Sequence, residues 1–260
     1  MQQPITRRTL LGLLAGLPLA AATPAFARRQ PSIERLIAQA STLPAASERM
    51  DFISRALLGA RYRANTLIGG PRRKEVFVVR DDAFDCVTFC EVVLAAALAR
   101  DRSGFEETLR RIRYAHGEVR WEERNHYFAD WTRRAVENGI CRPVAIEPSA
   151  PTEKTVNWGN LGKRRVSLTV IPRAALMANR KLLASGDVIG FVSRRPNLDV
   201  HHTGLIAFGK GGEVMLRHAS QRRGRVVDER LDRFAAVARV QYVTLVRAAE
   251  PTEAPPIARA

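Results

Sequence analysis

The chain has 260 residues, 46% of them hydrophobic, which is enough for one domain with a sizeable core. Its formal net charge of +16 attracts polyanions, but the arginines are scattered and form no recognisable nucleic-acid module. Three cysteines do not make a disulfide framework, and an odd count leaves at least one thiol unpaired.

In chain order, Arg7-Arg8 stand directly before an apolar run from Leu10 to Ala22, and Ala25-Phe26-Ala27 supplies small residues at alternate positions. That pattern predicts a secretory leader over residues 1–27, with the paired arginines pointing to the twin-arginine route. The run is shorter than the ~20 residues of a spanning helix, so stable membrane insertion is not expected. The expectation is an exported protein of the periplasm or cell envelope, with a single domain over residues 28–249 that opens on a helical extension.

Residues Ser32 to Ala60 read as two helices broken around Leu43-Pro44. A Gly-Gly-Pro turn at 69–71 precedes a short strand, Val76 to Val79. Helices are predicted from Cys86 to about Arg100, from Gly104 to Tyr114, and from Ala129 to Asn138, the last closed by Gly139. Pro143 to Gly162 is rich in Pro, Asn, Thr and Gly and reads as a long loop. Strands are predicted at Val188–Ser193, His202–Phe208, Val214–His218, Arg225–Asp228 and Gln241–Val246. Helices first and strands afterwards predict an α+β domain, with N-terminal helices packed on an antiparallel sheet. The Pro/Ala-rich tail from Glu250 to Ala260 reads as disordered.

The chemistry concentrates in Phe84-Asp85-Cys86-Val87-Thr88-Phe89. Asp85 is a good N-cap, which puts Cys86 at the first helical position. There, free N–H groups and the helix dipole favour a thiolate, which beside a His⁺ can reach a pKa of about 3–4. The same N–H groups would steady an oxyanion. Cys90, one turn on in an apolar stretch, reads as a core thiol. Cys141 and the histidines lack the spacing of a zinc site, so no metal or other cofactor is expected.

A thiol nucleophile needs a base, and five histidines are present: His116, His126, His201, His202 and His218. If Lys210 centres the turn Gly209-Lys210-Gly211-Gly212, His202 falls opposite His218 on one sheet face. His201 would then point to the other face. The alternative is that these are hydrogen-bonded structural histidines.

The residues Asp85-Cys86, His202-Thr203-Gly204 and His218-Ala219-Ser220 resemble the NlpC-type, papain-like cell-wall cysteine hydrolases. More closely, the chain resembles their N-acetylmuramoyl-L-alanine amidase-like branch. Arg61-Tyr62 with Thr66-Leu67, Arg124-Asn125-His126-Tyr127-Phe128-Ala129-Asp130-Trp131, Gly186-Asp187-Val188-Ile189 and Leu198 to Gly204 carry that likeness, over roughly Leu58 to Val246. The resemblance implies a papain-like fold, Cys86 as nucleophile, His202 as general base and His218 as the group that orients it. It implies that Tyr62 lines the active site. Arg124, His126 and Asp130 become candidates to contact a muropeptide, with Asp130 as a helix cap and Tyr127 and Trp131 as core residues the structural alternative. Arg61 stands where the family often has Pro.

The expected reaction is cleavage of the amide between the lactyl group of N-acetylmuramic acid and L-alanine in peptidoglycan fragments. A D,L-endopeptidase of the stem peptide and a non-catalytic, basic wall-binding protein are the competing readings.

Overall fold

The computed structural model describes residues 31–157 and 161–250. The predicted leader and all but the first residue of the predicted tail lie outside them.

Two short helices open the described chain. In α1 (Ile33–Ala40) Ile33, Leu36, Ile37 and Ala40 form one buried stripe, and α2 (Ala46–Ala56) buries Ala46, Met50 and Ile53. Both lie against α3 (Cys86–Leu98), in which every residue from Thr88 to Ala97 is buried. A helix apolar on all sides must be surrounded, and α4 (Arg102–Arg113) packs on it as well. Asp101 starts α4 two residues before the predicted boundary by accepting from the Gly104 N–H at 2.8 Å. α5 is Phe128–Glu137, followed by Gly139 at φ +64°.

The strands are β1 (Arg61–Tyr62), β2 (Ile68–Gly70), β3 (Arg73–Val76), β4 (Ala83–Phe84), β5 (Cys141–Pro143), β6 (Ala150–Asn157), β7 (Lys163–Pro172), β8 (Val188–Val192), β9 (Val200–Phe208), β10 (Val214–Ser220), β11 (Arg225–Arg230) and β12 (Tyr242–Ala248). Ten of them form one sheet in the order β4-β1-β11-β10-β9-β8-β12-β7-β6, with β5 paired to β12. The sheet is mixed rather than antiparallel throughout, because β1 and β4 pair in parallel. The small helices α6 (Arg173–Ala178) and α7 (Leu231–Val237) complete the α+β fold.

Strand alternation separates two cores. Val188, Leu205, Ala219, Val226 and Val246 face the α3 side and join its core. Ile189, Phe191, Ile206, Leu216 and Leu245 face the other way, against Leu176 of α6 and Leu231 of α7.

Two predicted segments differ. The strand after the Gly-Gly-Pro turn lies at residues 73–76 and pairs back on β2, so Val76 is its end and not its start. The predicted loop from Pro143 to Gly162 contains the last residue of β5 and all of β6, and β6 pairs with β7 from Ala150↔Val170 to Asn157↔Lys163. β6 is an edge strand with only Val156 buried, so it has no apolar alternation of its own. Its partner supplies the core, through Val166, Leu168 and Val170 against Tyr127 and Ala129.

Candidate active site

The helix start at Cys86 is built by local chemistry. Asp85 has extended backbone, and its Oδ1 accepts from the N–H groups of Val87 at 3.1 Å and Thr88 at 2.8 Å. In return the Asp85 N–H donates to Thr88 Oγ1 at 3.0 Å, closing a capping box. Two of the first-turn N–H groups expected to serve an oxyanion, those of Val87 and Thr88, therefore already bond to Asp85.

All three cysteines are free, with Cys86 half-buried and Cys90 and Cys141 buried. Burial pushes the Cys86 thiol up to about 11, and the nearby Asp85 charge acts the same way. Backbone hydrogen bonds from Thr203, Cys86 and Val87 oppose that rise without reversing it. The pKa is raised where a lowered one was expected, because desolvation outweighs the helix dipole here. Cys90 is held well above its usual value by burial, with Sγ 3.8 Å from Thr203 Oγ1. It is a core thiol, as its apolar surroundings indicate.

The Thr203 N–H reaches the sulfur because a ladder ends there. β9 and β10 pair from Phe208↔Val214 to Leu205↔Arg217 and no further, while His218 to Ser220 continue to pair with β11. Along β9, Ile206 N donates toward β8, to Asp187 O at 2.8 Å. Alternation turns Thr203, like Leu205, toward β10, where it has lost its partner strand. There its N–H meets the Cys86 thiol. That donor belongs to the peptide unit following His202, whose ring packs against Phe191 and Phe234.

His202 and His218 do meet, by a register other than the expected one. One step past its last pair, the same register sets His218 opposite Gly204, two residues from His202. The turn centres on Gly211, not Lys210, with Gly209 N bonded to Glu213 O at 2.9 Å. Moving the centre by one residue moves the register by two, which preserves the face. The rings therefore approach diagonally, with His202 Nε2 2.7 Å from His218 Nδ1 and centroids 4.8 Å apart. Gly204 makes this possible: a Cβ there would lie 2.9 Å from His218 Cβ and from Arg217 O.

His201 does not simply face the other way. The β8–β9 register shifts between Phe191↔His202 and Val192↔Val200, so His201 is the extra residue of a β-bulge. Its exposed ring and that of His202 both lie 6.2 Å from Phe191.

Burial pushes His202 down to about 3, and the His218 ring adds to the effect. His218 is also lowered by burial, partly offset by the Glu229 carboxylate, whose Oε2 lies 3.4 Å from His218 Nε2. Phe234 of α7 sits 5.4 Å from each ring and excludes water from the pair. Beyond it opens a cavity of about 770 Å³ lined in part by His202, His218, Glu229, Arg222 and Arg233. Glu229 and Phe234 are absent from the predicted site; nothing in Asp228-Glu229-Arg230 marks them before the β10–β11 register is known.

Tyr62 lies beside the thiol. Its phenol is raised by burial first and then by the charges of Cys86 and Asp85. The Arg124 to Trp131 phrase is held by structural partners. Arg124 Nε donates to Glu75 Oε1 at 2.9 Å, and Tyr114 reaches the same carboxylate at 2.7 Å. His126 Nε2 is 2.7 Å from Trp121 O. Asp130 is buried in the first turn of α5, paired with Arg164 and, at 3.7 Å, with Arg133. It is not the cap: Asp199 Oδ2 accepts from Ala129 N at 2.7 Å, supplying from a distant loop what Tyr127 cannot. Tyr127 and Trp131 are core residues.

A thiol at a helix start and two coupled imidazoles on neighbouring strands are groups of the kind that carry acyl transfer. The chain belongs to the AmiA-like family, described as N-acetylmuramoyl-L-alanine amidase-like, whose model matches residues 52–239. Two crystal structures of an N-acetylmuramoyl-L-alanine amidase from Bacteroides uniformis share 24% and 25% identity with it, each with a TM-score of 0.70 over 79% of this chain and 99% of that one. A Legionella pneumophila protein superposes with a TM-score of 0.73 at 22% identity, covering 85% of this chain and 94% of its own. No curated protein matches.

Proposed function

We propose that this protein is an exported cysteine amidase of papain-like, NlpC-type architecture that hydrolyses the amide between the lactyl group of N-acetylmuramic acid and L-alanine in peptidoglycan fragments. The observation that carries the reading is the 2.7 Å contact of His202 Nε2 with His218 Nδ1, with the backbone N–H of Thr203, next in sequence to His202, turned to the Cys86 thiol. Family membership supplies the amide and the wall substrate. Arg7-Arg8 and the apolar run after them support export to the periplasm or envelope, where muropeptide turnover takes place.

With the thiol raised and the imidazole lowered, the proton moves as attack begins. His202 Nδ1, the nitrogen not used by His218, takes the proton from Cys86 as Sγ bonds to the lactyl carbonyl carbon. The oxyanion meets the Cys86 N–H, the helix dipole and the Tyr62 phenol. Collapse breaks the C–N bond, and His202 returns the proton to the departing L-alanine amine. Water, deprotonated by the same nitrogen, then cleaves the thioester and leaves a free lactyl carboxylate.

The test is product identification from defined muropeptides with wild-type and Cys86→Ala protein. The expected products are a peptide with a free L-alanine amine and an unsubstituted disaccharide, with turnover falling on the order of 10³-fold or more in the variant. Disaccharide still carrying L-Ala-D-Glu would indicate stem-peptide cleavage instead. Unchanged turnover in Cys86→Ala would remove the nucleophile assignment.

A further inference from the structure

We propose that Glu229 is a positioning residue that sets the tautomers of both imidazoles, so that the bare nitrogen of His202 is the one left for the thiol. The inference rests on the catalytic reading of Cys86 and His202, and it adds a fourth group to that site.

The β10–β11 ladder puts it there. Leu216 pairs with Glu229 and His218 with Val227, so Glu229 stands diagonal to His218 on the same sheet face. Its two oxygens are divided between partners. Oε1 is 3.0 Å from Arg222 Nη2 and 3.5 Å from Arg223 Nε, while Oε2 lies 3.4 Å from His218 Nε2. The arginines fix the rotation of the carboxylate. Of the other charged groups nearby, Asp228 is committed to Arg217 at 2.8 Å, and Arg233 of α7 lines the same cavity.

A carboxylate only accepts, and at 3.4 Å, outside hydrogen-bond geometry, it favours a proton on His218 Nε2 through its charge. The neutral ring then presents a bare Nδ1. The 2.7 Å contact to His202 Nε2 holds one proton, which must belong to His202. His202 Nδ1 is consequently unprotonated and ready to accept from sulfur. Without Glu229, His218 is free to carry its proton on Nδ1, which would leave His202 protonated on the nitrogen that faces the thiol. Once His202 is charged, the carboxylate at the end of the chain also stabilises the imidazolium, as the third member of a triad does.

The experiment uses the full chain with ¹⁵N-labelled histidine, comparing wild type with Glu229→Ala, Glu229→Asp and Glu229→Gln. Wild type is expected to show both rings as Nε2–H tautomers, with Glu229→Ala giving mixed tautomers at His218. In Glu229→Ala, kcat is expected to fall on the order of 10- to 100-fold, less than the roughly 10²–10⁴-fold of a lost base, with KM little changed. Glu229→Asp should recover part of kcat, which a purely structural anchor for the arginines would not require. Should Glu229→Ala fail to fold, Glu229→Gln carries the test: its amide can donate to His218 Nε2, and the tautomers should move toward the reversed set. Unchanged His218 tautomers, or unchanged kcat, in the folded variant would overturn the proposal. The tautomer signal needs no turnover, so it stands apart from the Cys86→Ala result on which the catalytic reading depends.

Discussion

Cys86 shows how two local effects of opposite sign are decided by burial. The helix start and the Thr203 N–H favour the thiolate, while desolvation and Asp85 disfavour it, and the balance lies at about 11. The consequence is testable without substrate. Because the pKa is raised, the thiolate fraction climbs as pH climbs, so alkylation of Cys86 by iodoacetamide should accelerate about tenfold per pH unit between roughly pH 6 and 9. A preformed thiolate–imidazolium pair would give a flat profile over that range, and a flat profile would refute the neutral resting state. The position of Cys86 was legible in Asp85-Cys86 and Thr88, because a capping box is local in sequence. Its protonation was not, because the atoms that desolvate it come from β1 and β9.

At the scale of elements, the β9–β10 hairpin makes the imidazole pair and Gly204 is its hinge of fit. Gly204→Ala should place a methyl against His218 Cβ and Arg217 O, costing about 1–3 kcal/mol of stability as an overpacked site does. Activity is expected to fall further than stability accounts for, because His218 must move away from His202. Thermal melts and kcat on the same preparation separate the two, and an unperturbed kcat would mean that the diagonal contact is dispensable. The glycine-rich turn announced the hairpin, and alternation put both histidines on one face whether the register sum was right or off by two. The β-bulge at His201 and the edge strand β6 were not legible. Neither has a local pattern, since each exists only because a neighbouring strand imposes it.

Across the molecule, buried ions join the helical half to the sheet. Arg113 Nε meets Glu91 at 2.9 Å inside the helices and also donates to Val78 O at 2.6 Å. Arg217 of β10 reaches Asp51 and Ser54 of α2 at 3.1 and 2.9 Å, and Asp228 of β11 at 2.8 Å. Glu250, placed by its sequence in the tail, accepts from Ala46 N at 2.8 Å and so ties the end of the described chain to α2. Arg217→Met should strand the partly buried Asp228 and leave Asp51 to Arg55 alone, costing about 3 kcal/mol. For a domain of this size that lowers Tm by on the order of 6–12 °C, readable by calorimetry. A shift under about 2 °C would mean that solvent compensates both carboxylates.

What the sequence determined by itself was whatever depends on near neighbours: the capped cysteine, the helical stripes, the alternation that sorts strand residues between two faces, and the phrases shared with the amidase-like family. What only the tertiary structure decided was whatever depends on strands meeting. That includes the gap where Thr203 N–H finds the sulfur, the diagonal approach of the two rings, the role of Asp199 as a remote cap, and the placement of Glu229 beside His218. Local periodicity constrains which way a side chain points, but the partner it finds is set by register and burial, which are properties of the assembled sheet.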